Sequence, residues 1–190
     1  MASMMTAWGY EVEDELAPLL DAETFEAMTG GKYAGDSRVE YALAAASQAV
    51  RNACGWHISP SMSCTANVTA SGRMAKLPAN YVSDVASVGD LESFEWSRKG
   101  VIVADCLPRG LDGVAVAYTA GYDAEAVPDL TMTIAGIVEG VMAVAPGVAS
   151  ESADGVSISY SATASSVANS LTSQQMAALA PYKLVSSHAA

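Results

Sequence analysis

The sequence predicts an α+β protein that is mainly α, with a small helical-bundle core, an inserted antiparallel β lobe and an extended C-terminal arm. Three observations lead there. Apolar residues recur at helical spacing over residues 36–54 and again over 128–144. Between them, residues 57–122 alternate apolar and polar with period two. Beyond Pro146-Gly147 the chain turns Ser/Ala-rich. The expected organisation is one domain: an acidic arm over 1–20, a helical part over 21–56, the β-rich insertion over 57–125, a core helix over 126–147 and a C-terminal strand, arm and short helix over 148–190.

Residues 1–20 carry Glu11, Glu13, Asp14 and Glu15, with Pro18 near the end of the stretch. A short helix follows. Asp21 suits the N-cap, Glu23 the positive end of the dipole, and Leu20 can staple onto Phe25 before Gly30 and Gly31 stop the helix. The next helix opens after Gly35-Asp36 and runs to Cys54, with Gly55 as its stop. Its apolar stripe is Val39, Leu43, Ala46, Val50 and Ala53, opposite a face with Arg38, Glu40, Gln48, Arg51 and Asn52. Ala44-Ala45-Ala46 permits close approach of a neighbouring helix, and Trp56 is expected to cover the helix end.

In the insertion, Cys64, Ala66, Val68 and Ala70 alternate with polar residues, and Val82, Val85 and Val88 lead to a turn at Gly89-Asp90. Phe94-Glu95-Trp96 and Val101-Ile102-Val103 flank Arg98-Lys99-Gly100 as a hairpin, and Val114, Val116 and Tyr118 form a last strand. About four to six strands are expected here. Pro128 and Asp129 then open a helix whose stripe is Leu130, Ile134, Ile137, Val141 and Val144. Ala135, Met142 and Ala143 make its other faces apolar too, which predicts burial between subunits. In the tail, Val156, Ile158 and Tyr160 suggest one exposed strand, and 161–170 a flexible stretch. Thr172 to Gln175 forms a capping box, with Leu171 and Met176 as its staple pair.

Composition narrows the function. Of 190 residues, 51% are apolar but only two are Phe, and mean hydropathy is +0.24 with 16% charged residues. That balance points to apolar surface used in subunit contacts. Net charge is −12, which argues against a basic grip on nucleic acid. The charge is uneven: seven acids and no base lie before Lys32, and acids without bases run from Gly110 to Tyr182. Cys54, Cys64 and Cys106 are odd in number and widely spaced, which argues for a reducing cytoplasm. The first ten residues show no secretion signal, and no apolar run approaches the roughly 18 residues of a membrane span.

Catalytic and ligand patterns are not found. Cys54 and His57 are three apart but have no further spaced ligands, so no metal site is expected. His188 lies near the end of the chain. There is no GxSxG elbow and no GxGxxG, and Gly30-Gly31-Lys32 lacks the rest of a phosphate loop. The carboxylates of 11–15 belong to a charged run, and Asn67-Val68-Thr69 matches a glycosylation sequon that means nothing without secretion. Hence no enzyme, no cofactor and no metal are expected. Glu139 is the odd charge in an apolar helix, either reaching solvent or forming an intersubunit ion pair with Arg51 or Arg38.

An ordered series of short motifs adds to this. Thr29-Gly30-Gly31 and Gly35-Asp36-Ser37-Arg38-Val39 precede a helix ending Val50-Arg51-Asn52-Ala53-Cys54-Gly55-Trp56-His57. Phe94-Glu95-Trp96-Ser97, Leu107-Pro108-Arg109-Gly110, Val116 to Tyr122, Val127-Pro128-Asp129-Leu130, Ser150-Glu151-Ser152 and Leu179 to Lys183 follow. Over roughly residues 20–185 the series resembles the head–tail connector (adaptor, or head-completion) proteins of long-tailed bacteriophages and prophages. The resemblance implies a virion protein of the neck, assembled in the host cytoplasm as a dodecameric ring. The ring would sit between the portal protein and a stopper or tail-completion protein, extending the channel for genome retention and ejection. Double-stranded DNA would pass without specific binding, and no membrane is involved. Val39, Leu43, Ala46, Val50, Ile134, Glu139 and Val141 are the expected subunit-interface residues. Leu171, Met176, Leu179, Tyr182 and Leu184 are the portal-binding set that the resemblance implies. The alternatives are a tail-completion or other neck protein, or an assembly chaperone absent from the particle. The acidic arm, Met1 to Leu19, has no counterpart in the resemblance.

Overall fold

A computed structural model of the chain describes residues 3–108, 113–143, 150–153, 156–159 and 171–184. In chain order its elements are β1 (Met4–Met5), β2 (Glu11–Val12), α1 (Ala22–Met28), α2 (Arg38–Cys54), β3 (Met62–Val68), β4 (Ala70–Ser71), β5 (Met74–Lys76), β6 (Val82–Val88), β7 (Glu95–Trp96), β8 (Val101–Val103), β9 (Val114–Ala120), α3 (Pro128–Met142), β10 (Ser150–Ala153), β11 (Val156–Ser159) and α4 (Ser173–Ala178). Short 3-10 turns at Ala124–Ala126 and Ala180–Tyr182 flank α3 and follow α4.

This corrects the expected fold class. The protein is a mixed α/β structure and not a mainly α helical bundle. Nine strands form two antiparallel sheets, ordered β1-β2-β3-β9-β6 and β4-β5-β8-β7. Among the described residues only α2 and α3 exceed seven residues, so too few long helices exist to enclose a bundle core. The expected arm is also different: β2 pairs with β3 through Glu11↔Thr65 and Val12↔Cys64, and β1 pairs with β2. Glu13 is held there too, accepting a hydrogen bond from the Ser63 amide. The insertion holds seven strands, β3 to β9.

The chain divides into two compact units. The first, Met1–Leu16, Arg51–Val127 and Ala180–Ala190, contains both sheets. Its core follows from the register. Val12, Cys64, Tyr118 and Val85 lie opposite one another across four strands, followed by the row Ala66, Val116 and Val88. All seven are buried, while Ser63, Thr65 and Asn67 of β3 face solvent. β6 is the instructive strand. Its buried residues, Val82, Val85 and Val88, are spaced by three, which a regular strand would place on alternating faces. Register shifts between Val82 and Asp84 and between Val85 and Ser87 each insert one residue and return the next valine to the core. The expected hairpin is present as β7–β8, with Trp96 opposite Ile102 and Ile102 opposite Ala75.

The second unit, Ala17–Val50 and Pro128–Leu179, is helical apart from the hairpin β10–β11. Local chemistry sets the helix ends. The Asp21 carboxylate caps α1 by accepting from the Thr24 amide, and the amide of Gly31, with φ of +75°, donates back to the Glu26 carbonyl. The Asp36 carboxylate accepts from the Arg38 amide at the start of α2. The Thr172–Gln175 capping box opens α4. Leu20 and Phe25 are buried, as are Leu130, Ile134, Ile137 and Val138 of α3. The expected flexible stretch over 161–170, Tyr160 and His188 lie outside the described residues.

Candidate functional site

The most elaborate arrangement of polar groups is in the β unit, where α2 ends. Gly55, with φ of +82°, closes the helix, and the chain turns sharply through Trp56, His57 and Ile58. Ile58 adopts φ of +68°, a left-handed conformation that a β-branched residue takes only when its surroundings impose it. Those surroundings are visible. The buried Arg51 donates from Nε to the His57 carbonyl (2.9 Å) and from Nη2 to the Ser59 carbonyl (2.8 Å). His57 Nε2 lies 3.0 Å from the Ala120 carbonyl, which can only accept, so this nitrogen carries the proton. Nδ1 is then bare and accepts from the Tyr10 hydroxyl at 2.9 Å, while the Tyr10 oxygen accepts from the His57 amide.

Burial governs the charge state of this centre. Desolvation holds His57 down to about 4, against the smaller upward pull of the Ala120 hydrogen bond, so the ring is neutral at pH 7. Arg51 is lowered by burial to about 10 and stays protonated. Tyr10 is pushed above its ordinary value by burial, and Cys64 is pushed up to about 12 by the same cause. His57 is fully buried with both nitrogens engaged, so it is placed to join β2, the α2 end and β9 and not to take a proton from a ligand.

An aromatic wall continues from it. Trp56 packs against His57 and Tyr122. Tyr122 stacks on Tyr81 at 4.6 Å and meets Tyr182 edge-on at 5.7 Å. Trp56 Nε1 donates to the Tyr182 carbonyl (2.7 Å), Asn80 donates to the Pro181 carbonyl, and the Leu184 amide donates to the Cys54 carbonyl at the helix end. The C-terminal turn is thereby fastened to the β unit by four separate contacts.

This placement bears on the expected site residues. Leu179 and Tyr182 are buried, and Leu171, Met176 and Leu184 are half-buried, so the two strongest anchors of the portal-binding set are already used inside the chain. Tyr182→Ala is expected to lower stability by about 3 kcal/mol in urea unfolding, as for other buried aromatic truncations. An unchanged unfolding midpoint would show that the turn is displayed and not anchored. Among the expected interface residues, Val39, Leu43, Ala46, Val50 and Ile134 are buried within the chain and leave no area for a neighbour, whereas Glu139 is exposed and Val141 half-buried. Both of the arginines expected to meet Glu139 have partners within the chain. Arg51 serves carbonyls, and Arg38 is held by Asp36 at 2.7 Å. Within the chain the charge of Glu139 is felt by Lys32, whose pKa is raised mainly by its contact with Tyr33 and to a lesser extent by Glu139. Cys54 and His57 do not form a ligand pair: burial pushes the Cys54 thiol up to about 11, and the imidazole nitrogens are taken. Among the described residues no group of three His, Cys, Asp or Glu could hold a metal ion.

The surfaces show more than the interior. On α2, Tyr41 is 80% exposed, beside exposed Glu40, Ala44 and Ala45. On α3, Met132 is 65% exposed, and Gly136 and Gly140 face open space. Sequence reasoning singled out the alanines but missed Tyr41. Its signal was available, since an aromatic on the polar side of an amphipathic helix has no core to enter. In the β unit, Gly72, Arg73, Asp105, Cys106, Leu107 and Pro108 line a shallow cleft of about 390 Å³. Its two charged residues pair with each other. No family model matches this chain, and no curated protein matches it either. Among the described residues, no helix is long and apolar enough to cross a membrane.

Proposed function

We propose that the chain is a structural, self-associating subunit of the head–tail connector kind, acting in the neck of a tailed phage particle between portal and stopper. The observation that carries this reading is apolar side chains on the solvent faces of the two long helices, led by Tyr41 and Met132, on a chain whose polar centre is closed. Exposed aromatic and methionine side chains of this kind are what subunit contacts bury. Direct imaging of the neck by electron microscopy, with mass spectrometry of purified particles, tests the reading. The expected result is a ring of this chain beneath the portal; its absence from finished particles would favour an assembly chaperone instead.

The charge supports the same function. The helical unit carries nine acids against two bases. A channel wall of this sign adds none of the counterion-releasing contacts that would hold phosphates. In fluorescence anisotropy the chain is therefore expected to show no salt-dependent binding to duplex DNA at moderate ionic strength. A steep fall in affinity with rising salt would reveal a cationic grip and overturn the low-friction channel.

A further inference from the structure

The β7–β8 turn sets two adjacent cations, Arg98 and Lys99, on the surface of a strongly acidic protein. Both are exposed, and neither forms a salt bridge with a described residue. By contrast, Arg38 and Arg73 are paired, Arg51 is buried and Lys32 lies over the Tyr33 ring. The turn is also rigid. Its Gly100 takes φ of +72°, the Ser97 amide donates to the Val101 carbonyl, the Gly100 amide donates to the Ser97 carbonyl, and the Arg98 carbonyl accepts from the Val82 amide. A hydrogen-bonded backbone under two charges that have no ion pair among the described residues lowers the entropy cost of using them in a contact.

A surface of opposite character lies on α2. Among the described residues Tyr41 is the most exposed of the large apolar side chains, and Glu40 precedes it in the sequence, exposed as well. Ala44 and Ala45, one turn further on, are exposed and small enough to let another backbone approach. An aromatic face beside a carboxylate is the arrangement that receives a guanidinium, by stacking and by ion pairing together.

We infer that the β7–β8 turn of one copy docks on the outward face of α2 of a second copy, with Arg98 stacked on Tyr41 and the Arg98-Lys99 pair facing Glu40. Charge complementarity selects a second copy. Chains of net charge −12 repel each other, so association requires a contact that locally opposes that repulsion, and this pair of patches supplies one. The two patches differ, so the contact is head-to-tail, the kind that closes into rings or extends into filaments. The inference rests on the self-association in the proposed function but not on the location in a virion.

A charge swap tests it, read by sedimentation velocity of the full chain at low salt. R98E/K99E and, separately, E40K are each expected to weaken self-association about tenfold, and the combined variant to restore most of it. Y41A is expected to weaken association while Y41F retains it, because stacking needs the ring and not the hydroxyl. Circular dichroism checks that these exposed substitutions leave the fold intact. No self-association of the parent chain at its highest soluble concentration would overturn the inference. So would association that R98E/K99E leaves unchanged, or a combined variant no better than the single ones. Particle composition separates this from the wider reading: a chain abundant in particles but indifferent to the swap leaves the connector reading standing without this contact. A successful swap in a chain absent from particles does the reverse.

Discussion

Gly121→Ala is expected to cost more than a methyl added at any other described glycine, removing a large share of the protein's stability. Gly121 follows β9 with φ of +110°, a conformation that L side chains rarely adopt. A Cβ there would overlap the Pro60 carbonyl oxygen and stand 2.8 Å from His57 Nε2. Neither neighbour can yield. The Pro60 carbonyl is backbone, and His57 is pinned between Tyr10 and Ala120. Backbone strain and overpacking add to about 4 kcal/mol or more, against a total stability of roughly 5–15 kcal/mol for a domain. Gly136→Ala is the matched control. It sits in α3 with nothing within 4 Å of the added carbon, so the same methyl should stabilise by up to about 1 kcal/mol through helix propensity. Thermal unfolding of both variants checks the contrast. Equal effects would mean that the junction around His57 is looser than its hydrogen bonds imply.

What the sequence made legible were the local decisions. Asp21, Asp36, Gly55, Pro128 and the Thr172–Gln175 box mark helix ends because capping acts within four residues, and the structure has helices at each of those places. The alternation of Cys64, Ala66 and Val68 and the Trp96–Ile102 hairpin were visible for the same reason. The fold class failed where information is not local. β1, β2, β4 and β7 are two residues long, and two residues cannot show a period. β6 hides its strand character behind a spacing of three that only its two bulges explain. The polar centre was invisible for a further reason: Tyr10, Arg51, His57 and Ala120 are brought together by pairing across the sheet. His57 therefore looked like a junction residue with no partners. The stripe of Val39, Leu43, Ala46, Val50 and Ile134 was legible as buried but not as to what buries it, because an apolar helix face announces burial without saying whether its own chain or another provides it.

The second large effect is acid lability traceable to one imidazole. In the unfolded chain His57 takes its ordinary pKa near 6.5, whereas burial holds it at about 4 when folded. Between those values the unfolded state binds a proton that the folded state refuses, so stability rises with pH there. The contribution is complete above pH 6.5, declines as pH falls through the window, and is gone near pH 4. It amounts to about 3 kcal/mol over those two and a half units. Geometry says why the folded state refuses. A proton on Nδ1 would turn the Tyr10 hydroxyl from donor to acceptor, although its oxygen already accepts from the His57 amide, and would place a cation beside Arg51. Asp21, lowered mainly by the Thr24 amide, and Asp36, lowered mainly by the Arg38 side chain, work in the same direction, since their stabilisation also fades as pH falls. The histidine can be separated from them by following its ring resonances by NMR during titration, alongside urea unfolding at about pH 7 and about pH 4.5. A ring titrating near its ordinary value in the folded protein would remove the explanation. Tyr10→Phe sharpens the test: without the hydroxyl that donates to Nδ1, the neutral ring loses its support. Its pKa should move up, and the pH window over which stability falls should narrow from the acid side.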